Sequence, residues 1–111
     1  VDLYEAHLYL LLEESKDHND AQENMDTWLS TARTNYNVSS EEEFSSNGQT
    51  YTLLTYTCKG SDTPYSHGIS AFAVSESSAV CIELTCIESF QGNLRNILTD
   101  FLNCCYYSND N

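Results

Sequence analysis

Residues 42–58 read EEFSSNGQTYTLLTYTC, and this stretch decides the fold. Asn47-Gly48 accepts the positive φ angles of a type I′ turn, the two-residue loop whose twist matches a pair of antiparallel strands. After it, Tyr51, Thr52, Leu53, Leu54, Thr55, Tyr56 and Thr57 are β-branched, aromatic or aliphatic almost without a break, a composition that fits a pleated, half-buried surface. Glu42–Ser46 and Gln49–Cys58 are therefore the two arms of a hairpin, and the sheet that contains them is antiparallel at its centre.

Outward toward the C-terminus, Lys59–Ser66 holds Gly60 and Pro64 and reads as a loop. Gly68–Ser75 is the next strand, with Ile69, Phe72 and Val74. Glu76-Ser77-Ser78 makes a short connection into Ala79–Ile87, a strand with Val80, Ile82 and Leu84 on one face. A helix begins near Gly92-Asn93, with Leu94, Ile97, Leu98, Phe101, Leu102 and Cys105 spaced by three and four as one stripe. Tyr106 and Tyr107 follow it, and Ser108–Asn111 is expected to fray.

Outward toward the N-terminus, Met25, Trp28, Leu29, Ala32 and Tyr36 form a single apolar stripe on a helix of about four to five turns. Asp20 reads as its N-cap, with Glu23 in the capping-box position, and Asn37 as its terminator. Lys16–Asn24 is the polar entry. In residues 3–14, Tyr4, Ala6, Leu8, Leu10 and Leu12 all occupy even positions, which predicts a strand with that face buried and His7 turned outward.

The order strand-helix-strand-strand-strand-strand-helix predicts an α+β fold. It is an antiparallel four- to five-stranded meander sheet packed with two helices, a single domain over residues 1–111.

Charge excludes whole classes of function. Seventeen acidic against four basic side chains leave a net charge of −13. Lys16, Arg33, Lys59 and Arg95 are scattered singly, so no basic patch exists for nucleic acid, and anionic membrane surfaces would repel the chain. The longest apolar run, Leu8–Leu12, has five residues, against about 20 for a membrane-spanning helix. The acidity is uneven: residues 1–50 carry −9 and residues 51–111 carry −4. Asp17, Asp20, Glu23, Asp26, Glu41, Glu42 and Glu43 gather around the first helix and the following strand. They read either as a solvated face that maintains solubility or as a partner-binding face that steers a basic protein.

Five cysteines, Cys58, Cys81, Cys86, Cys104 and Cys105, are many for a reduced domain of this size and few for a disulfide scaffold. They read as small buried hydrophobes or as partners in a disulfide. Zinc spacing is absent. Cys81 and Cys86 cannot bridge within one strand, because five steps of about 3.3 Å exceed the roughly 7 Å limit between Cα atoms. Any bond would join a strand cysteine to the helix end.

Catalytic chemistry finds little support. His18 lies in Asp17-His18-Asn19-Asp20, an oxygen-rich turn that lacks the glycine and bidentate glutamate of a calcium loop. Ser66-His67-Gly68 with Ser70 has no Gly-x-Ser-x-Gly elbow, and sequence neighbours on one strand point to opposite faces. Neither a metal nor a cofactor is implied, and the chain reads as a non-enzyme.

The arrangement resembles the PsbP/DcrB-like fold of small bacterial extracytoplasmic domains. The resemblance rests on four features: the opening strand and polar turn at Leu8–Lys16, the Trp/Leu helix leading into Ser39–Glu43, the Asn47-Gly48 turn before Tyr51–Tyr56, and two strands before a helix ending in aromatics. An additional N-terminal strand with a Pro-Glu-Gly-Trp-like entry, usual in that family, has no counterpart here. Because members are mostly lipoproteins, photosystem accessory domains or binding modules, the resemblance implies a non-enzymatic exported accessory or binding domain. Its location would be the cell surface or the secreted space, and it would contact a protein or small ligand. The chain opens at Val1 with no signal layout of its own, so a removed leader or lipobox segment is part of that expectation. Small size, high acidity and absent catalytic groups support the alternative of a cytoplasmic immunity or inhibitor protein that neutralises a basic toxin.

Overall fold

A computed structural model describes residues 6–59, 66–87 and 94–105. Along them run β1 (Ala6–Glu14), α1 (His18–Asn35), β2 (Tyr36–Ser46), β3 (Gln49–Cys58), β4 (His67–Ser75), β5 (Ser78–Cys86) and α2 (Leu94–Asn103). The strands form one antiparallel sheet in the order β1-β5-β4-β3-β2. Strands β2 to β5 are the expected meander, and β1 adds to its far edge beside β5. The α+β architecture and the element order are as the sequence predicts. Readings placed on Tyr4, on the loop at 60–65, on Gly92-Asn93 and on residues 106–111 lie outside the described residues.

The hairpin turns as its sequence requires. Asn47 and Gly48 sit at φ 53° and 79°, angles that Asn and Gly tolerate and most residues do not. β2 is longer than Glu42–Ser46 and carries a bulge between Val38 and Ser40, a device that twists an edge strand away from further pairing.

The two helices cover opposite faces of the sheet. Met25, Leu29 and Ala32 of α1 pack on Leu54, Tyr56, Phe72, Ala79 and Cys81. Leu94, Leu98 and Leu102 of α2 pack on Tyr51, Leu53, Ile69, Ala71, Val80, Ile82 and Leu84. Both faces of β3, β4 and β5 are thus buried, and this explains the near-continuous apolar run in β3. α1 also has to carry the chain from one edge of the sheet to the other. Eighteen residues give it a length of ~27 Å, enough for the ~19 Å between β1 and β2.

Three expectations are corrected. The N-cap is Asp17, whose carboxylate accepts from the Asp20 backbone N–H at 2.8 Å; Asp20 lies inside the first turn, because the helix starts two residues before it. The helix ends at Asn35, before Asn37, and Tyr36 passes into β2, where its ring stacks on Tyr56 at 4.2 Å. The third correction concerns β1. Leu8, Leu10 and Leu12 do share a face, but they are 51%, 59% and 55% exposed. Both helices lie over β4 and β5, and α1 also reaches β2, whereas the Leu8, Leu10 and Leu12 row of β1 stays exposed. Ile97, placed on the α2 stripe, is likewise exposed.

Candidate functional site

β1 brings the apolar surface of the molecule into one place. Leu8, Leu10 and Leu12 lie in register with Leu84, Ile82 and Val80 on the α2 side of the sheet. Ile97 of α2 is exposed on the same side of the sheet. The α2 side of β1 is thus an apolar shelf of three exposed leucines in one row. Tyr9 and Leu11 point to the other side, toward α1, and Tyr9 is also more than half exposed.

On that side, α1 and the sheet leave a cleft of about 220 Å³. Tyr9 and Leu11 of β1, Trp28, Thr31, Ala32 and Asn35 of α1, and Tyr36 form its walls. Phe72, Cys81 and Glu83 form its floor. Strand register fixes Glu83: Tyr9, Glu83 and Ser70 occupy one row across β1, β5 and β4. Burial pushes the Glu83 carboxyl above the usual carboxylate range, and a hydrogen bond from Tyr56 works against that rise. The Tyr56 hydroxyl also meets Ser70 Oγ at 2.9 Å. Tyr56, Ser70 and Glu83 thus gather on the α1 face of the sheet. Burial raises the Tyr56 phenol still further from its ordinary value, reinforced by the Glu83 charge.

Sequence reading passed over Glu83. Alternation assigns Cys81, Glu83 and Thr85 to the polar side of β5, which suits a sheet with one wet face. A second helix on that face converts an outward glutamate into the floor of a cleft. The available signal was a lone carboxylate inside Val80–Leu84, an otherwise apolar strand, combined with two amphipathic helices.

The acidic residues do not make a single face. Glu42 lies on the α2 side with Leu53, whereas Glu41 and Glu43 lie on the α1 side with Leu54 and Thr52. Arg33 holds Glu41 with two hydrogen bonds of 3.1 and 2.7 Å, and Arg95 holds Glu42 with two of 2.8 and 3.0 Å. Both pairings draw the carboxyl pKa down through the guanidinium hydrogen bonds. Asp17 is the helix cap, Asp26 accepts from Gln22 at 3.1 Å, and Asp20 and Glu23 share the opening turns of α1. Glu43 lines a polar depression of about 610 Å³ at the turn end of the sheet, with His18, Gln22, Asn47 and Gln49. There the His18 Nδ1–H donates to the Glu76 carbonyl at 2.8 Å, tying the start of α1 to the β4–β5 turn.

No disulfide joins the cysteines. Cys81 is on the α1 face and Cys86 on the α2 face. Cys104 and Cys105 follow α2 beside Asn47, whose amide donates to the Cys105 carbonyl at 2.9 Å. Cys58 and Cys86 sit at the other end of the sheet, in register with Tyr36 and His67. Burial pushes the thiols of Cys58, Cys86 and Cys105 up, and that of Cys81 to about 12. At neutral pH they are protonated and poor nucleophiles. Ser66 Oγ and His67 Nδ1 approach to 3.1 Å as sequence neighbours, but Ser70 is buried against Tyr56, so the three do not converge. Among the described residues there is no group of three metal-ligating side chains and no helix long and apolar enough to cross a membrane.

No protein-family model matches the chain, and no curated protein does. Among solved structures it is similar to the solution structure of cyanobacterial PsbP (CyanoP) from Synechocystis sp. PCC 6803, with a TM-score of 0.54 at 13% identity. That match covers 86% of this chain and 63% of the other, so the chain spans less than two thirds of its structural neighbour. The likeness supports the PsbP part of the expected resemblance and leaves the DcrB-like and lipoprotein parts without support. At this identity what is shared is a fold, and the fold is PsbP-like.

Proposed function

We propose that the chain is a non-catalytic accessory domain that binds a protein partner at the β1 edge, with an extended partner segment pairing along Ala6–Glu14 as a further strand. One observation carries this reading: β1 ends the sheet with apolar side chains exposed in both of its rows. An exposed apolar edge invites another chain, and natural edges are usually blunted by charge, proline or a bulge. The opposite edge, β2, has such devices: Glu41, Glu42, Glu43 and a bulge. In β1 they are confined to Glu13 and Glu14 at one end. Strand addition supplies affinity through main-chain hydrogen bonds and specificity through alternate side-chain pockets. Here those pockets are the α2 shelf and the α1 cleft.

Charge selects the partner. With a net charge of −13 the chain favours a basic segment. Arg33 and Arg95 are committed to Glu41 and Glu42, whereas Asp17 and Asp20 lie just beyond the Glu13-Glu14 end of β1, with the basic Lys16 between. An extracytoplasmic site of action belongs to the same reading, supported by the PsbP-like fold. A gene product with a leader ahead of this domain would bear it out, and one with an initiator Met immediately before Val1 would sink it.

The test uses an alternating leucine–lysine nonapeptide and amide hydrogen exchange. Exchange of β1 amides should slow on adding the peptide, that of β2 amides should not change, and Leu10→Lys should abolish the effect. Unchanged β1 exchange, or equal protection in L10K, overturns the reading. The carboxylates in the opening turns of α1 favour a second reading, an acidic inhibitor of a basic toxin. In that case Asp20→Asn with Glu23→Gln would weaken toxin binding, with steep salt dependence, and L10K would not.

A further inference from the structure

We propose that the cleft between α1 and strands β1 and β5 binds an organic cation, with Tyr9, Trp28 and Tyr36 contacting its apolar skirt and Glu83 supplying the counter-charge. This goes beyond the edge-strand reading, because the ligand can be a free amine as well as a side chain of a docked segment.

The chemistry of the walls points one way. Aromatic faces attract an ammonium or guanidinium group through the ring quadrupole, most strongly where water is excluded. The floor offers a carboxylate in a cleft whose other walls are mostly apolar. Among the described residues no lysine or arginine lines the cleft; Arg33 is held by Glu41, and Lys59 Nζ donates to the Thr34 carbonyl at 2.9 Å. Ligand cation and protein carboxylate would therefore meet without an internal competitor. The Tyr36–Tyr56 stack at 4.2 Å holds the aromatic wall.

Size sets the class of cation. A volume of about 220 Å³ is below the roughly 300–1,000 Å³ of sites that enclose drug-sized ligands. A trimethylammonium group or the end of a lysine side chain fits this space, and a nucleotide does not.

Trp28 is the only tryptophan in the chain, so its fluorescence reports on the cleft without labelling. We would titrate the protein with choline, with N-acetyl-lysine methylamide, and with 3,3-dimethyl-1-butanol, the neutral isostere of choline. Saturable quenching is expected with at least one of the two cations, roughly ten-fold tighter than with the alcohol. Glu83→Gln should remove that preference, and Tyr9→Leu should weaken cation binding several-fold while leaving the alcohol unchanged. Tighter binding of choline identifies a free quaternary amine as the ligand; tighter binding of the lysine derivative identifies a lysine side chain of a partner. No saturable response, or equal affinity for the alcohol, overturns the proposal. Should E83Q fail to fold by circular dichroism, Tyr9→Leu on the exposed edge makes the same comparison. A failure here leaves the β1 exchange experiment untouched, so the two readings fall separately.

Discussion

Gly68 and Tyr56 face each other across β4 and β3, and a methyl group on Gly68 would lie 2.6 Å from Cε1 of the tyrosine ring. Backbone freedom is not at issue at this glycine. The missing side chain is the space that the ring occupies. Tyr56 is buried, stacked on Tyr36 and bonded to Ser70, so it has nowhere to go without loss. Gly68→Ala should therefore cost about 1–3 kcal/mol in urea unfolding, the range for an overpacked core. In a Tyr56→Leu background the same change should cost much less, giving a coupling between the two sites. Wild-type stability for the single variant would contradict this arrangement. Nothing in the sequence marks this pair, because Gly68 also reads as an ordinary start to a strand. Glu83 escaped for a related reason: its environment is made by α1, distant in sequence, and not by its neighbours in β5.

At the scale of elements, local chemistry was the better guide. Asn47-Gly48 announced the hairpin, and the structure adds a second duty for the asparagine. Its side-chain amide donates to the carbonyls of Asn103 and Cys105 at 3.0 and 2.9 Å, satisfying the end of α2. The two roles separate by substitution. Asn47→Gly keeps the turn and loses the tether, a loss of about 1 kcal/mol. Asn47→Ala loses the tether and strains a positive φ, so it should cost roughly a further 1 kcal/mol. Thermal unfolding of both variants checks the order; equal losses would show that the strain is negligible. β1 shows where local reading stops. Alternation correctly made it a strand with Leu8, Leu10 and Leu12 on one face, but no periodicity can tell an edge from a centre. Which strand is left uncovered depends on where the helices lie.

At the scale of the molecule, three layers bury both faces of the inner strands and leave the charges outside. Two exposed arginine–glutamate pairs work against an excess of thirteen negative charges. Exposed pairs contribute little in water, so repulsion is the larger effect. Raising sodium chloride from 10 to about 300 mM, which shortens the screening length several-fold, should therefore raise the melting temperature at pH 7. A fall would mean that the arginine pairs outweigh the repulsion. Fold class and strand succession were legible because each element carries its own signal. The candidate sites were not, since β1, α1 and β5 meet there from distant parts of the chain.

Ala6 pairs with Cys86 and Glu14 with Ser78. β1 thus leaves the ribosome long before β5, the neighbour it pairs with. Throughout synthesis its run of leucines is available to any other nascent chain, and a holdase or an early binding partner would protect it during that interval.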